Sequence, residues 1–165
     1  MKYWWVNQNQ TYAHEVNGGY LWSPKTKANG GRNHFYDSMT QVAPGDVIFS
    51  FADTYIKAIG IASGAHESAS KPNEFGTAGA NWTDEGWYVP VDFIELSNPI
   101  RPKDYMDRLA PLLPSKYSPL QENGNGNQGV YLASVPDSLA HELDAILNGQ
   151  VQSILANTSN EAEAA

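Results

Sequence analysis

The chain's strand-like segments are short, and most of them follow one another without a full helix in between. Aromatic and β-branched residues mark such segments, which lie at residues 2–7, 46–51, 55–63, 86–96 and 129–135. A parallel doubly wound sheet needs a crossover of about a dozen residues, usually a helix, between consecutive strands. Most of the intervals between these segments are too short for such a crossover. The sequence therefore predicts a mixed α/β (α+β) fold, a small β-barrel of five to six strands with short flanking helices.

Helical patterns and loops account for the rest of the chain. Apolar residues at helical spacing predict short helices at 33–42, 102–113 and 136–148. Residues 8–32 and 64–85 have no clear period, which is typical of long loops. A chain of 165 residues usually forms one domain. We therefore expect a folded domain over residues 1–148 and a weakly structured or disordered tail over residues 149–165.

The charge distribution restricts a nucleic-acid partner without excluding one. The net charge of −8 opposes binding to phosphates, which attract Lys and Arg. Residues 136–165 account for −5 of it, whereas residues 1–40 carry +2. We therefore expect any nucleic-acid binding to be local, and to be weak when it is non-specific.

The sequence contains no complete signature of a catalytic, metal-binding or cofactor-binding site. The chain has no cysteine, and its four histidines show no spacing typical of a metal site. The segment GNGNQG (124–129) matches a dinucleotide-binding pattern, but a strand-like segment follows it where that motif requires a helix. We expect no catalytic residue, no metal and no cofactor. With neither a signal peptide nor a long apolar segment, the chain is expected to be cytoplasmic and to have no membrane partner.

Two tryptophans occur in polar segments, where a large indole is unusual. Trp22 lies in GGYLWSPKTKANGGRN (18–33) and Trp82 in AGANWTDEG (78–86). Each could anchor its loop by packing beneath it, or could stack on a flat ligand. Stacking a base on an aromatic ring contributes about 1–3 kcal/mol, whereas extruding a base from a duplex costs about a few kcal/mol. A reader of an extruded base therefore needs a pair of aromatic walls.

The order of these segments resembles the EVE domain, a PUA-like family related to the YTH readers of methylated adenine. The segments that carry the likeness are KYWWVNQN (2–9), RNHFYDSM (32–39), VAPGDVIFSF (42–51), YIKAIGIAS (55–63) and WYVPVDFIELSNPIRPKDY (87–105). They match, in this order, the family's first strand, its helix, its G-D-x-V-F strand and its next two strands. The likeness extends over about residues 2–135 and implies a PUA-like barrel.

More narrowly, the chain is similar to the N-terminal module of EVE–HNH-type proteins, which are modification-dependent restriction endonucleases. This resemblance implies a DNA-binding reader that recognises a flipped 5-methylcytosine or 5-hydroxymethylcytosine in double-stranded DNA. The sequence has no HNH nuclease pattern after residue 135. The resemblance therefore implies the specificity module of a restriction system, whose nuclease domain is fused to it in relatives.

The resemblance also assigns residues to a base-binding pocket. LWS (21–23) matches the segment that supplies one aromatic wall in YTH readers, and Trp82 matches a tryptophan in the loop before the long strand. EVE domains usually have Lys-Ser-Glu where this chain has polar residues 7–9. The expected pocket consists of Asn7, Gln8, Asn9, Tyr20, Trp22, Ser23, Ser50, Asp53, Tyr55 and Trp82.

Several polar residues of the expected site have competing interpretations. The Asp53 carboxylate could accept a hydrogen bond from an exocyclic base amine, or Asp53 could form an Asx-turn. Three amide residues lie close together in the segment before the last strand: Asn125, Asn127 and Gln128. Their side chains could fill the gap left by the flipped base or contact the DNA groove, or they could belong to a solvated loop. The DNA backbone is expected to bind the basic side chains of Lys25, Lys27 and Arg32.

Three other functions remain open from the sequence. The domain could read a methylated base in single-stranded RNA instead of DNA. It could be an enzyme acting on a nucleoside or another small molecule, although no nucleophile–base pair supports this. It could also be a protein-interaction module, as its acidic C-terminal segment suggests.

Overall fold

A computed structural model of the chain describes residues 1–78, 80, 82–127 and 129–164. Over these residues seven strands form one sheet. They are β1 (Tyr3–Asn7), β2 (Tyr20–Pro24), β3 (Val47–Ala52), β4 (Tyr55–Ala62), β5 (Glu67–Ser70), β6 (Glu85–Ile100) and β7 (Leu132–Val135). The strand order is β2-β6-β4-β3-β1-β7, with β5 also paired to β6. β1 and β3 are parallel and the other pairs are antiparallel, so the predicted mixed α/β class is confirmed.

Short helices surround the sheet. In the described part of the chain the α-helices are α1 (Tyr12–Gly18), α2 (His34–Asp37), α3 (Met106–Leu109), α4 (Asp137–Ile146) and α5 (Gln150–Ala164). Single 3₁₀ turns lie at Ser38–Gln41, Asn73–Phe75, Pro102–Tyr105 and Ala110–Leu112. α2 begins after Asn33, whose side chain accepts hydrogen bonds from the backbone N–H groups of Phe35 and Tyr36, as an N-cap residue does. No helix among these is long and apolar enough to cross a bilayer.

β6 is sixteen residues long and joins two parts of the sheet. Its first residues, 85–90, pair with β2 along one edge and with β5 along the other. From residue 91 onward it pairs with β4. β2, which carries Trp22, therefore pairs with the first part of β6 at one end of the sheet.

The apolar core lies on both faces of the sheet. Along β1, Trp5 faces one side and Trp4 the other, as the two-residue period of a strand requires. The Trp5 side is covered by α4 and α5 through residues such as Leu143 and Val151. The Trp4 side packs against residues such as Met39. Each fully buried aromatic side chain removes about 150–250 Å² from water, so these two clusters fix the sheet that carries the site.

The segment predicted as a loop at residues 8–32 contains regular structure. α1 is followed by its C-cap residue, Gly19, which adopts a left-handed φ of 76° and donates its N–H to the Glu15 carbonyl. β2 follows immediately, and its register places Trp22 opposite Tyr88 of β6. The pattern alone did not predict this strand, because β2 is short and its stability comes from a partner more than sixty residues away in the sequence.

The segment after Asn148 also differs from its prediction. Instead of a weakly structured tail, it forms α5, whose first turn is anchored by a hydrogen bond from the Val151 N–H to the Asp144 carboxylate at 2.9 Å. Val151 is buried, and Ile154 and Leu155 pack against the same core cluster. These three residues have the i, i+3, i+4 spacing of one helical face, which explains why the segment docks.

Candidate functional site

One cavity of about 840 Å³ lies where several loops meet the ends of the strands. Predicted site residues that line it are Asn7, Asn9, Trp22, Ser23, Asp53, Trp82, Asn125 and Asn127. Further lining residues include Thr11, Tyr36, Thr54, Arg101, Lys103 and Tyr131. The fold therefore brings the ends of β1 and β2, the β3–β4 turn and the loop before β7 to one place.

Trp22 forms a fixed wall of this cavity. Its indole is 1% exposed, and its Nε1–H donates to the Ala69 carbonyl of β5 at 3.0 Å. Its backbone N–H donates to the Tyr131 hydroxyl at 3.1 Å. Gly86 of β6 lies against the indole so closely that a Cβ there would collide with Trp22 Cζ2. Trp22 therefore belongs to a buried strand and not to the loop that its sequence neighbours indicated.

Trp82 lies beside Trp22, and the two indoles touch. Their ring centroids are 6.3 Å apart with an interplanar angle of 35°. Phe75 packs edge-on against both rings. Stacked bases lie about 3.4 Å apart, so a base held between two parallel rings needs a separation of about 7 Å. The two indoles therefore form one continuous aromatic wall in this conformation, and not two parallel walls on either side of a slot.

A buried carboxyl group lies beneath the cavity. Glu15 of α1 is 0% exposed and accepts hydrogen bonds from Thr11 Oγ1 at 2.6 Å, Tyr131 OH at 2.6 Å and Gln8 Nε2 at 3.0 Å. Burial raises the pKa of Glu15 to about 7, although these hydrogen bonds act in the opposite direction. Because Tyr131 also accepts the Trp22 backbone N–H, the network connects the carboxyl group to the aromatic wall.

Gln8 and Ser50, which were expected in the pocket, belong to this buried network. Ser50 Oγ donates to Gln8 Oε1, and both side chains are at most 1% exposed. They do not line the cavity. Their polar groups are already satisfied within the network, so they support the site from below and are not positioned to contact a base.

Asp53 occupies the turn between β3 and β4. Asp53 and Thr54 have φ values of 52° and 72°, as a two-residue type I′ hairpin requires. The Asp53 carboxylate forms an ion pair with Lys57 Nζ at 2.6 Å, and its backbone N–H donates to Asn9 Oδ1 at 3.0 Å. Asp53 lines the cavity, but its carboxylate is already engaged by a lysine.

Asn7 lies at the end of β1 and holds two neighbouring segments together. Its Oδ1 accepts the Trp5 indole N–H at 3.2 Å, and its Nδ2 donates to the Val130 carbonyl at 2.9 Å. Asn127 likewise donates from Nδ2 to the Ser118 carbonyl at 2.8 Å. Both side chains line the cavity while also ordering the loop before β7.

Two aromatic residues of the expected pocket lie elsewhere. Tyr20 is buried beneath Phe75 and Tyr88, and its hydroxyl donates to Glu74 Oε1 at 2.6 Å. Burial, followed by this hydrogen bond, raises the pKa of the Tyr20 hydroxyl. Tyr55 begins β4 and is 41% exposed. Neither lines the cavity. Tyr20 lies on the same face of β2 as Trp22 and in the same aromatic cluster, but Phe75 and Tyr88 stack on it.

The basic residues expected to bind phosphate do not reach the cavity either. Lys25 forms an ion pair with Glu85 at 3.2 Å and lies over the Trp87 ring. Arg32 forms an ion pair with Asp37 at 3.1 Å, and Lys27 is exposed on the loop after β2. Gln128 lies outside the described residues. The basic residues at the cavity are instead Arg101 and Lys103, which follow β6. Lys103 was predicted only as part of the helical segment 102–113, and Arg101 lies just before that segment.

The described residues include no group of three or more His, Asp or Glu side chains placed to hold a metal ion. No protein-family model matches the sequence, and no curated protein matches it.

Solved structures with a similar fold include two YTH domains and the N-terminal domain of a McrB protein. The YTH domain of the Zygosaccharomyces rouxii MRB1 protein, solved with N6-methyladenosine RNA, has 7% identity and a TM-score of 0.55 over 88% of this chain and 86% of that chain. The Pho92 YTH domain, solved with m6A, has 12% identity and a TM-score of 0.51 over 90% and 84%. The N-terminal domain of Staphylothermus marinus McrB has 12% identity and a TM-score of 0.52 over 87% and 93%. At these identities the likeness shows the fold, which is a PUA-like small barrel.

Proposed function

We propose that this chain is a reader domain that binds nucleic acid through one extruded, modified base and catalyses no reaction itself. The observation that carries the proposal is the wall formed by Trp22 and Trp82 at a cavity of about 840 Å³. Pockets for small ligands commonly measure about 300–1,000 Å³ and combine apolar walls with a few polar groups. Here the amides of Asn7, Asn9 and Asn127 provide the polar groups.

The free energies involved require both indoles. Extruding a base costs about a few kcal/mol, and one stacking contact returns about 1–3 kcal/mol. Trp22 is fixed by two hydrogen bonds, whereas Trp82 is only partly buried. Because Trp22 is 1% exposed and Trp82 lies against it in this conformation, we propose that Trp82 moves away from Trp22 as the base enters. Trp22 then offers the static face, and Trp82 covers the other face of the base.

We further propose DNA carrying 5-methylcytosine or 5-hydroxymethylcytosine as the ligand, as the EVE–HNH resemblance implies. In such a restriction system the chain would supply specificity, and a nuclease domain would cut. Burying one methyl group contributes about 0.8 kcal/mol, and an enclosed pocket extends the discrimination to about 1–3 kcal/mol. The expected preference for the modified base is therefore modest, from about fourfold upward.

A reader of methylated RNA is the second candidate. The specific observation in its favour is the fold shared with two YTH domains solved with m6A or N6-methyladenosine RNA. The same aromatic wall would serve an adenine or a cytosine, since every base has a flat face that stacks. The choice between DNA and RNA therefore depends on binding measurements with both.

The test is a titration of the protein with matched oligonucleotides. Duplex DNA would be unmodified, cytosine-methylated, cytosine-hydroxymethylated or adenine-methylated, and single-stranded RNA would be unmodified or N6-methylated. We expect the cytosine-modified duplex to bind at least about fourfold more tightly than the unmodified duplex. A preference for methylated RNA would instead favour the second candidate, and equal affinities for all ligands would refute the reader function.

Two tryptophan variants make this titration specific for the site. Trp82→Ala removes one face of the proposed base pocket and should bring the ratio of modified to unmodified affinity close to one. Trp87→Ala is the matched control, because Trp87 lies in β6 under Lys25 and does not line the cavity. A Trp82→Ala protein that binds less tightly but keeps the full preference would show that the base is read elsewhere.

A further inference from the structure

The cavity carries a positive wall in an otherwise acidic chain. The charged side chains that line it are Arg101, Lys103 and Asp53, among the described residues. The charge of Asp53 is matched by its ion pair with Lys57 at 2.6 Å. The cavity is therefore locally positive, although the whole chain has a net charge of −8.

Lys103 and Arg101 differ from the cations predicted from the sequence because they line the cavity and neither forms a short ion pair there. Lys103 Nζ donates to the neutral Oδ1 of Asn125 at 2.9 Å. Arg101 forms a long contact of 3.4 Å with Asp104, and both side chains are more than one third exposed. An exposed pair of this kind is weak. Lys25 and Arg32 also form exposed ion pairs, at 3.2 and 3.1 Å, but these two cations lie outside the cavity.

The position of Lys103 is defined by the loop that packs on it. Gly124 has a φ of 89°, and a Cβ there would lie 2.8 Å from Lys103 Cα and 2.9 Å from Met106 Cγ. The loop is closed by the Gln121 N–H, which donates to the Asn125 carbonyl at 2.9 Å. Glycine at position 124 thus allows the loop to approach closely enough for Asn125 to orient the lysine toward the cavity.

We propose that Arg101 and Lys103 bind the phosphates that flank the base in the cavity, so that the nucleic-acid strand crosses this wall and not the loop after β2. This inference rests on the proposed function. Phosphate contacts fix the position of a strand without reading its sequence. The two cations therefore set where the strand lies, while the Trp22–Trp82 wall discriminates the base.

The salt dependence of binding tests this assignment. We would measure the dissociation constant for modified and unmodified duplexes over a range of salt concentrations with wild-type protein, Lys103→Gln, Arg101→Gln and the double variant. Each lost phosphate contact should reduce the slope of log affinity against log salt by about 0.9 on duplex DNA. The double variant should lose about twice that. Both duplexes should weaken by the same factor, so the preference for the modified base should persist.

Two further variants serve as controls. Arg32→Gln removes an equally basic side chain that is paired with Asp37 away from the cavity, and it should leave the slope unchanged. Lys103→Arg keeps the charge and should retain the wild-type slope. A slope that falls with Arg32→Gln, and not with the Lys103 and Arg101 variants, would overturn the proposal and return the strand to the loop after β2.

The outcome separates this inference from the proposed function. If the salt slope falls in the Lys103 and Arg101 variants while modified and unmodified duplexes bind equally, phosphate binding by Arg101 and Lys103 is supported and the modified-base reader is refuted. If the protein prefers the modified duplex but the salt slope is unchanged in the double variant, phosphate binding by Arg101 and Lys103 is refuted and the reader function is supported. Absence of binding by the wild-type protein at low salt overturns both.

Discussion

Replacing Trp22 by alanine is expected to lower the free energy of unfolding by about 3–5 kcal/mol. The indole is 1% exposed and packs against Phe75 and Trp82, so its removal leaves a large cavity that these neighbours cannot fill. The variant also loses the hydrogen bond from Nε1–H to Ala69, which ties β2 to β5. Denaturant-induced unfolding of the wild-type and variant proteins measures the difference.

The comparison with Trp82→Ala gives this prediction its control. Trp82 is the same residue type in the same aromatic cluster but is only partly buried, so its removal should destabilise the protein by clearly less. Equal losses for the two variants would contradict the burial of Trp22 in β2. Because Trp22→Ala could fall below the threshold for folding, Trp22→Phe retains a ring at this position and allows binding to be measured.

The second large effect concerns the pH dependence conferred by Glu15. The pKa of this carboxyl is raised from 4.5 to about 7 by burial, although its hydrogen bonds act in the opposite direction. Between these values the folded state binds more protons than the unfolded state, so this stabilising contribution is complete below pH 4.5 and is lost as the pH rises through 7. A shift of this size corresponds to a change on the order of 3 kcal/mol in the free energy of unfolding.

The measurement is the difference in unfolding free energy between the wild-type protein and Glu15→Gln, followed from pH 4 to 8. Wild-type stability should fall relative to the variant across this range, because glutamine at this position carries no titrating proton. Carboxyls with a lowered pKa, such as Glu74 beside the Tyr20 hydroxyl, act with the opposite sign in both proteins and cancel in the difference. A difference that stays constant with pH would show that Glu15 is not buried as described.

The strands of the core were predictable because their signal is local. The segments at residues 46–51 and 55–63 became β3 and β4 almost to the residue, since continuous β-branched and aromatic runs form strands wherever both faces are covered. β2 was not predictable in this way. Its five residues are flanked by polar loops, and it exists because β6 supplies hydrogen bonds and Gly86 leaves room for the Trp22 indole.

The same distinction applies to the site: some of its residues were predictable from their local sequence, and others are placed by contacts between distant segments. Trp22 and Trp82 were predictable as site residues because large indoles are unusual among polar neighbours, and both line the cavity. Glu15 was missed because its partner Tyr131 lies 116 residues away and no local pattern links them. The residues predicted to bind the DNA backbone do not line the cavity. Lys25 pairs with Glu85, sixty residues away, whereas Lys103 reaches the cavity through the turn that ends β6.

If a modified base enters the cavity against the indoles of Trp22 and Trp82, their Nε1–H groups should sense it. We would follow the nuclear magnetic resonance signals of the tryptophan Nε1–H groups during titration with cytosine-methylated and unmodified duplexes. We expect the signals of Trp22 and Trp82 to shift with the methylated duplex, while that of Trp4, bound to Asp46 at 3.0 Å on the other side of the sheet, stays in place. Shifts confined to Trp87, with Trp22 and Trp82 unchanged at saturation, would show that the base does not enter this cavity.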